Sequence, residues 1–425
     1  MRPSLPAPAS RRRPFRVLPP ITRGAETLEG AALLAEVEGD PGLVLFQSLR
    51  NVLLWAAAPE AERAAVFARA AAARRAEALS RAGLDERLRP ALHAIAELLA
   101  SPAEFPRARV AWACAAVARW AEERGAPATA LAYMQAAALA EPGDAALAYA
   151  VGRLARQHGE PVRAEGWLHK AVVLARQSGD WSSYAMAFAA LGNLAVQRGN
   201  LPAARRMHTR ALRAAQRHRL RQVQAMALHD LFVTAMELGD GHAATEYAGA
   251  ALRAYGDGHP RVPALAHDVA CFWTAAGEFA RALPVFRAAL PHIPGRAERA
   301  VVLANVARAA AGTGDRRSFE DAAAEAASLV EQPDAERGAA QVWLNLARGA
   351  ASLGDAPLAA MAAETAARAA ARRGEAKILA SAEAIAQAAR AGSSARAAEV
   401  TPPGTAEDPG DVLAAELVRS LAAVG

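Results

Sequence analysis

The stretch from Leu191 to Leu212 reads LGNLAVQRGNLPAARRMHTRAL, and it places the pair Gly199-Asn200 between two alanine-rich helical patterns. Glycine ends a helix at low cost because it readily adopts the left-handed conformation that closes the last turn. Pro202 suits the first turn of a second helix. The stretch therefore predicts a helical hairpin, and a fixed recurrence of the same layout would make that hairpin a repeat.

The same turn recurs along the chain. Its glycines are 34, 40, 40, 38, 37 and 40 residues apart, at Gly125, Gly159, Gly199, Gly239, Gly277, Gly314 and Gly354. Eight residues before each glycine the residue is apolar: Val117, Val151, Leu191, Leu231, Val269, Val306 and Leu346. Twelve residues after each glycine it is alanine: Ala137, Ala171, Ala211, Ala251, Ala289, Ala326 and Ala366. Five residues after, alanine recurs except at Phe319: Ala130, Ala164, Ala204, Ala244, Ala282 and Ala359. One hairpin cannot cover its own apolar face, so this recurrence predicts a stack of hairpins.

This pattern resembles the tetratricopeptide repeat family over about residues 109 to 372. The third repeat matches closely, because Leu191-Gly192, Gly199-Asn200, Ala204 and Ala211-Leu212 fall at the family's spacing. Two features depart from the family: most repeats exceed the usual ~34 residues, and alanine often replaces the large aromatics of the first helix. The resemblance implies an all-α fold, a right-handed superhelical solenoid of antiparallel helix pairs.

Other segments flank the repeats. Residues 1–26 are rich in proline and arginine and are expected to be a disordered arm, and residues 27–104 are expected to form further helices, as a capping domain or degenerate repeats. Residues 105–392 are expected to form the repeat array with a closing helix, 393–410 a linker and 411–425 a short C-terminal helix. Within the N-terminal helices, we expect one helix from Pro41 to Ala58, capped by Asp40 and buried on several sides, and another from Pro59.

Composition limits the classes of function. The chain has 425 residues, a net charge of +6 and two distant cysteines, Cys114 and Cys271. Two such cysteines form neither a disulfide framework nor a metal cluster, so we expect a cytoplasmic protein. Arginine supplies 47 of the 49 basic residues, which together with the alanine content indicates a GC-rich coding bias and not by itself nucleic-acid binding. The twin arginines near the N-terminus lack a following apolar segment, and no segment reaches the ~18 apolar residues of a membrane span, so we predict neither export nor membrane insertion.

In the family, the first helices line the concave surface, where residues 13, 10, 6 and 3 before the turn glycine share a face. Polar residues occupy this region in most repeats: Arg119, Arg153, Arg156, Asn193, His229, Asp230, His267, Asp268, Asn305, Arg308, Asn345 and Arg348. Asparagine amides can pair with the backbone of an extended peptide, and arginine forks suit carboxylates. We predict that these residues form a ligand groove. The alternative is that they solvate an exposed helix face.

We predict no enzyme and no catalytic residue. His267 and Cys271, four residues apart, have the spacing that activates a thiolate, but a regular helical array supplies no oxyanion hole. His229 and His267 lack a recognised metal-ligand spacing, so no metal is predicted. The sequence holds no P-loop, dinucleotide-binding fingerprint, HExxH or CxxC, and we predict no cofactor.

The sequence therefore predicts a cytoplasmic, non-enzymatic scaffold for protein–protein interaction that holds an extended peptide or a partner helix in its concave groove. An alternative from another class is a peptide-sensing regulatory module that controls a transcription factor. A weaker alternative is nucleic-acid binding through a convex stripe of arginines, which comprises Arg206, Arg210, Arg213 and Arg217. Steep salt dependence would distinguish nucleic-acid binding from the other functions.

Overall fold

The computed structural model describes residues 30–331, 338–391 and 408–424. Over these ranges the chain forms twenty α-helices and three short 3-10 helices, with no β-strand. The all-α fold class, with neighbouring helices packed as antiparallel pairs, is therefore confirmed. The predicted disordered arm at 1–26 lies outside the described residues, as does most of the predicted linker at 393–410. No helix in the described ranges is long and apolar enough to cross a membrane.

The chain divides into two compact units, residues 1–223 and 224–425. The first unit contains α1 (Leu33–Glu36), α2 (Gly39–Ala57), α3 (Ala71–Arg81), α4 (Arg89–Ala100), α5 (Arg107–Glu123), α6 (Pro127–Ala140), α7 (Ala145–Gln157), α8 (Pro161–Ser178), α9 (Trp181–Gln197) and α10 (Leu201–Arg217). From the boundary onward follow α11 (Arg221–Glu237), α12 (Gly241–Tyr255), α13 (Val262–Ala276), α14 (Phe279–Ala289), α15 (Arg296–Gly312), α16 (Arg316–Val330), α17 (Ala339–Ser352), α18 (Ala356–Arg373), α19 (Ala376–Arg390) and α20 (Pro409–Ala422). The 3-10 helices are Glu60–Ala65, Glu86–Leu88 and Leu290–His292.

The Gly199-Asn200 pair ends one helix and begins the next. Gly199 has a φ of 72°, in the left-handed region, and its N–H donates to Val196 O at 2.8 Å. The N–H of Asn200 reaches back to Ala195 O at 2.9 Å, which completes the closure of α9. The Asn200 side chain then accepts a hydrogen bond from Ala203 N at 3.2 Å and caps α10. Two residues therefore satisfy the backbone groups of both helix ends.

All seven turns of the repeat share this geometry. Their glycines have φ values between 69° and 83°. In each turn the N–H after the glycine donates to a carbonyl five residues earlier, at 2.8 or 2.9 Å. An aspartate takes the place of Asn200 and caps the second helix in three later turns, at Asp240, Asp315 and Asp355. The seven predicted hairpins are thus confirmed as α5–α6, α7–α8, α9–α10, α11–α12, α13–α14, α15–α16 and α17–α18.

The small residues lie where the two helices of a hairpin meet. The alanines twelve residues after the turns are 0% exposed, and those five residues after are at most 1% exposed. In the third hairpin, a methyl group on Gly192 would overlap the His208 ring. In the sixth, Phe319 replaces the usual alanine and packs against Gly349 of the seventh hairpin, where a Cβ would lie 2.7 Å from the ring. The helices therefore approach each other closely at these small residues.

The N-terminal helices pack onto the first hairpin of the array. The Glu36 carboxylate accepts hydrogen bonds from Ala128 N at 2.8 Å and from Thr129 N at 2.7 Å. These amides belong to the first turn of α6, whose own N-cap residue is alanine and offers no side-chain acceptor. Tyr133 on α6 donates its hydroxyl to Leu45 O at 2.7 Å. A carboxylate from α1 therefore caps α6 and joins this region to the array.

Helix α2 differs from the expectation in its start and in its burial. It begins at Gly39, two residues early, with Glu38 and not Asp40 at the N-cap. Leu43 and Leu54 are 48% and 50% exposed, so the helix is not buried on all its apolar sides. Its fully buried face consists of Leu45, Leu49, Val52 and Trp55.

The helix expected from Pro59 is interrupted. The chain forms a 3-10 helix at Glu60–Ala65 and resumes as α3 only after a break. Arg63 is buried in this segment, and its guanidinium lies 4.2 Å from the centre of the Trp55 ring. This contact with α2 fixes the segment and outweighs its local helix propensity.

The C-terminal helix α20 packs onto α14 and also contacts α12 and α13. Arg281 on α14 holds its start: Nε donates to Asp411 Oδ1 at 2.6 Å, and Nη2 lies 3.0 Å from Asp408 Oδ2. Asp408 also caps α20 through Gly410 N at 2.7 Å. Three buried leucines form the packed face, Leu413, Leu417 and Leu421. The helix predicted to follow a linker is therefore an integral part of the second unit.

We expect Gly199→Ala to lower the free energy of unfolding by about 1–2 kcal/mol, because a Cβ is disfavoured in the left-handed region. No other atom lies within 4 Å of the added Cβ, so the cost is purely that of the backbone. Gly143 is the matched control, since its Cβ would also meet open space but its φ is not positive. Urea denaturation should show a loss for Gly199→Ala and almost none for Gly143→Ala; equal losses would contradict the turn assignment.

We expect Arg281→Met to loosen α20, because Arg281 is 17% exposed and holds both acidic residues at the start of that helix. Losing these charge-assisted hydrogen bonds should cost about 1–2 kcal/mol of local stability. Amide hydrogen exchange of α20 should accelerate correspondingly. Arg287→Met is the control, since Arg287 is half-exposed on the same helix and faces Asp315 at 3.6 Å. Unchanged exchange in α20 would contradict its anchoring by Arg281.

Candidate functional site

The twelve predicted groove residues are divided between the two units. The first unit contains Arg119, Arg153, Arg156 and Asn193. The second contains His229, Asp230, His267, Asp268, Asn305, Arg308, Asn345 and Arg348. Those of the second unit lie on α11, α13, α15 and α17, the first helix of each hairpin.

In the first unit, the predicted residues have different surroundings. Arg153 donates from Nη2 to both carboxylate oxygens of Glu122 at 2.9 Å, which pairs its charge between α7 and α5. Arg119 is exposed, and the buried Nε of Arg156 has no hydrogen-bond partner in the described part of the chain. Asn193 is half-buried on α9, and its amide makes no hydrogen bond to any described residue. Arg153 is therefore paired within the fold, whereas the Asn193 amide has no hydrogen-bond partner in the described part of the chain.

In the second unit, the predicted residues form a connected row. We name it the polar ladder, and it consists of His229, Asp268, His267, Asn305, Asn345 and Gln341. His229 Nε2 lies 3.0 Å from Asp268 Oδ2, and Asp268 Oδ1 lies 3.3 Å from His267 Nδ1. His267 Nε2 lies 3.2 Å from Asn305 Nδ2 on the next first helix. This half of the ladder links α11, α13 and α15, while Asp230 is half-buried next to His229.

The asparagine half of the ladder lies below the surface. Asn345 Nδ2 donates to Asn305 Oδ1 at 2.7 Å, and Gln341 Nε2 donates to Asn345 Oδ1 at 3.2 Å. Asn305 and Asn345 are 6% and 2% exposed, so each amide needs a partner inside the protein. The two asparagines supply that partner to each other across neighbouring hairpins, and this bond occupies amide groups that we predicted would face a ligand. Gln341 was missed, although it lies thirteen residues before Gly354, on the face that the spacing rule defines.

Two of the predicted groove residues, Arg308 and Arg348, have no partner among the described residues. Arg308 and Arg348 are half-buried on α15 and α17, and neither guanidinium pairs with a side chain in the described ranges. Burial, with the positive charge of Arg348, lowers the pKa of Arg308 to about 10, and burial also lowers the pKa of Arg348. Two partly dehydrated like charges therefore influence each other, and neither has a carboxylate partner in the described part of the chain. An anionic ligand would relieve this cost.

Arg153 shows why these two charges are unpaired. Its partner Glu122 stands three residues before the turn of the preceding hairpin. At the same position, the partners available to Arg308 and Arg348 are the uncharged Thr274 and Ala311. Arg153 shows that an arginine six residues before one turn can pair with a residue three residues before the preceding turn. With this relation known, the sequence alone shows that Arg308 and Arg348 lack a carboxylate there.

His267 and Asp268 form the charged centre of the ladder. Burial by itself would lower the pKa of His267, but the hydrogen bonds with Asp268 and Cys271, and their negative charges, raise it to about 10. Burial would raise the pKa of Asp268, but the hydrogen bonds and charges of His229 and His267 lower it to about 2. Near neutral pH, His267 therefore carries a proton and Asp268 a negative charge. Of the described residues, no three His, Cys, Asp or Glu side chains are placed to hold a metal ion.

The convex stripe, which consists of Arg206, Arg210, Arg213 and Arg217, is exposed along α10. The Arg210 guanidinium lies 4.3 Å from the centre of the Phe188 ring, and its Nε donates to Tyr184 Oη at 3.2 Å. These rings come from α9, so they do not show in the local sequence of the stripe. The cation–π contact with Phe188 and the hydrogen bond to Tyr184 hold the Arg210 guanidinium in place.

We expect the stabilising effect of His267 to fade at alkaline pH. Its pKa of about 10 in the fold exceeds the ~6.5 of an unfolded chain, so its proton favours folding. This contribution is complete below about pH 6.5 and is lost as the pH rises through about 10.

Urea denaturation at about pH 6 and about pH 10 should therefore show a larger deficit for His267→Gln at the lower pH. His242→Gln is the control, because the His242 side chain is 85% exposed and should give small differences at both values. A deficit for His267→Gln that is the same at both pH values would contradict the assignment.

No protein-family model matches this sequence, and no curated protein sequence matches it. Among solved structures, the chain is similar to a signal transduction ATPase with numerous domains from Pyrococcus horikoshii, which carries a tetratricopeptide repeat sensor. The superposition covers 86% of this chain and 56% of the ATPase chain, with a TM-score of 0.52 and 14% sequence identity. Cut9 in the APC/C Cut9–Hcn1 hetero-tetramer covers 84% of this chain over 56% of its own, with a TM-score of 0.46 and 15% identity. The superposition on PilF from Pseudomonas aeruginosa covers 54% of this chain and 97% of the PilF chain, with a TM-score of 0.41 and 17% sequence identity. With the seven turns, the likeness to the ATPase with a tetratricopeptide repeat sensor shows that the chain has a fold of the tetratricopeptide repeat type.

Proposed function

We propose that the chain is a non-enzymatic protein-interaction scaffold that binds an extended acidic peptide segment on the first-helix face of its second unit. The observation that carries this proposal is the pair of unpartnered arginines, Arg308 and Arg348. A carboxylate placed between two guanidinium groups accepts hydrogen bonds from both and neutralises their mutual repulsion. The ligand group is therefore an acidic side chain or a free C-terminal carboxylate.

The polar ladder supports this proposal by making the binding face rigid. Asn305 and Asn345 fix α15 and α17 at one spacing, because their amides bond to each other at 2.7 Å. The two arginines extend from the same helices, three residues further along the chain. A face that is ordered before binding loses less conformational entropy when a ligand arrives. The buried asparagines thus contribute to binding through the position of the arginines.

The arginine pair also explains why stability and binding should respond differently to mutation. Charges that are partly buried and unpaired destabilise a fold, and removing them relieves that cost. Residues kept at such a cost are typical of functional sites. A double variant that binds less and is no less stable would identify the pair as a site.

We expect the double variant Arg308→Gln and Arg348→Gln to weaken binding of acidic peptides by about 100-fold or more, since each charge-assisted hydrogen bond contributes about 1.5–3 kcal/mol. The probe is an array of extended peptides with acidic residues or free C-termini, each paired with its glutamine or amidated analogue. The wild type should prefer the acidic member of each pair. Its melting temperature should not fall in the double variant.

The convex stripe provides the matched control. Glutamine at Arg206, Arg210, Arg213 and Arg217 removes more charge and should leave peptide binding intact. If this control loses binding while the double variant keeps it, the proposed face is wrong. In that case, a steep loss of binding with added salt would indicate a phosphate backbone instead. Asn193→Ala tests the predicted groove residue of the first unit in a separate measurement.

A further inference from the structure

The convex stripe lies in a stretch of chain that has no acidic residue. From Trp181 to His229, 49 residues include eight arginines and neither aspartate nor glutamate. In the whole chain, 43 of 425 residues are acidic, so a stretch of this length with average composition would carry about five. The general arginine content of the chain therefore does not explain the uncompensated charge of this segment.

The arginines of the stripe are exposed and unpaired. They follow one another at intervals of four, three and four residues along one side of α10, which makes the stripe about 16 Å long. None of them forms an ion pair with a described residue, and neither does Arg205 on the same helix. Arginines of other second helices do: Arg287 on α14 lies 3.6 Å from Asp315, and Arg316 on α16 lies 3.7 Å from Glu320.

The turn that ends α10 carries an arginine in a conformation that favours glycine. Arg219 has a φ of 56°, and of the described residues it alone combines a side chain with a positive φ. The N–H of Leu220 donates to Ala215 O at 2.9 Å, which is the closure that glycine makes in the seven repeat turns. An exposed arginine is thus kept where glycine would relieve strain, and such outliers are typical of functional positions.

We propose that the convex stripe, together with Arg219, binds the phosphate backbone of double-stranded DNA. The guanidinium fork matches the oxygens of a phosphate, and duplex DNA offers one negative charge per ~1.7 Å of its length. An α-helix fits the major groove of B-form DNA, whereas the major groove of double-stranded RNA is too narrow for it. Because phosphate contacts carry no sequence information, binding is independent of the base sequence.

The surroundings of the stripe favour DNA over other acidic partners. Within α9 and α10, every residue is described and no large apolar side chain is exposed. A protein partner needs an apolar or aromatic interface centre, and a helix that lies on a membrane needs an apolar face.

Single-stranded nucleic acid needs aromatic rings on which its bases can stack. The rings near the stripe already have partners inside the protein. Trp181 stacks on His218 with 4.4 Å between the ring centres, and Phe188 is 5% exposed beneath Arg210. The phosphates of a duplex are therefore the ligand that needs only what the stripe presents.

The probe is a fluorescent DNA duplex of mixed sequence and about 20 base pairs, titrated with the full-length chain at about 50 to 200 mM salt. We expect the logarithm of the association constant to fall with the logarithm of the salt concentration with a slope of about −3.6 or steeper, since each of four phosphate contacts contributes about 0.9. Duplex RNA, single-stranded DNA and vesicles of anionic lipid are titrated in parallel. A chain that does not bind duplex DNA, or binds one of these three more tightly, overturns the proposal.

Variants separate the stripe from net charge. One variant carries glutamine at all four stripe positions, and the matched control carries glutamine at four exposed arginines of other second helices: Arg316, Arg317, Arg368 and Arg372. We expect the stripe variant to bind duplex DNA at least about tenfold more weakly at about 50 mM salt, with a slope smaller by about 3.6, and the control to keep the wild-type slope. Equal losses in both variants, or full DNA binding by the stripe variant, overturn the proposal. The stripe variant should still bind acidic peptides, so a failure of the peptide site is seen separately.

Arg219→Gly separates charge from conformation. Glycine adopts the left-handed conformation without strain, so the melting temperature should rise. The loss of one phosphate contact should weaken DNA binding about tenfold at about 50 mM salt and reduce the slope by about 0.9. A variant that binds duplex DNA as tightly as the wild type overturns the assignment of Arg219 to the DNA-binding surface.

Discussion

The repeats depend on a backbone closure that recurs once in every hairpin. A left-handed glycine ends the first helix, and the next residue donates to the carbonyl five residues earlier. Because the closure is the same each time, the second helix leaves in the same direction, and the alanines five and twelve residues later meet the first helix at the same depth. A larger side chain at these alanines would force the helices apart. The orientation of each first helix is thereby fixed before any residue of the ladder is considered.

The polar ladder is a consequence of this regular orientation. Side chains at a fixed distance before each turn project from equivalent places, so a polar residue on one first helix reaches its counterpart on the next. Asn305 and Asn345 satisfy each other in this way, while a single buried asparagine would pay the full cost of a lost hydrogen bond with water. The ladder changes from asparagine to histidine and aspartate at α13, and with that change it acquires charge, a proton and a neighbouring thiol. One architectural row therefore supplies both a rigid support and a charged cluster.

The sequence predicted those features that depend on residues close together in the chain. The seven helical hairpins and their glycine turns follow from local spacing, as does the placement of Arg308 and Arg348 on first helices, whereas the one cap that we predicted, at Asp40, was wrong. Contacts between distant residues were not predicted: Glu36 caps α6 from 93 residues away, and Arg281 holds α20 from 130 residues away. Neither pairing leaves a periodic signal. Burial of the ladder was also not predicted, because residue spacing shows which side chains share a helix face but not how deeply that face is buried.

The arginine row separates structural charge from functional charge. Arg153 and Arg308 occupy the same position relative to their turns, yet Arg153 Nη2 donates at 2.9 Å to both oxygens of a carboxylate one hairpin earlier. For Arg308 and Arg348, that earlier position carries threonine and alanine, so the fold lacks the partner that it supplies elsewhere. A charge needed only for solubility would lie in open solvent, where it costs little, and not half-buried next to a second one. The pair is therefore best understood as one half of an ion pair whose other half arrives with the ligand.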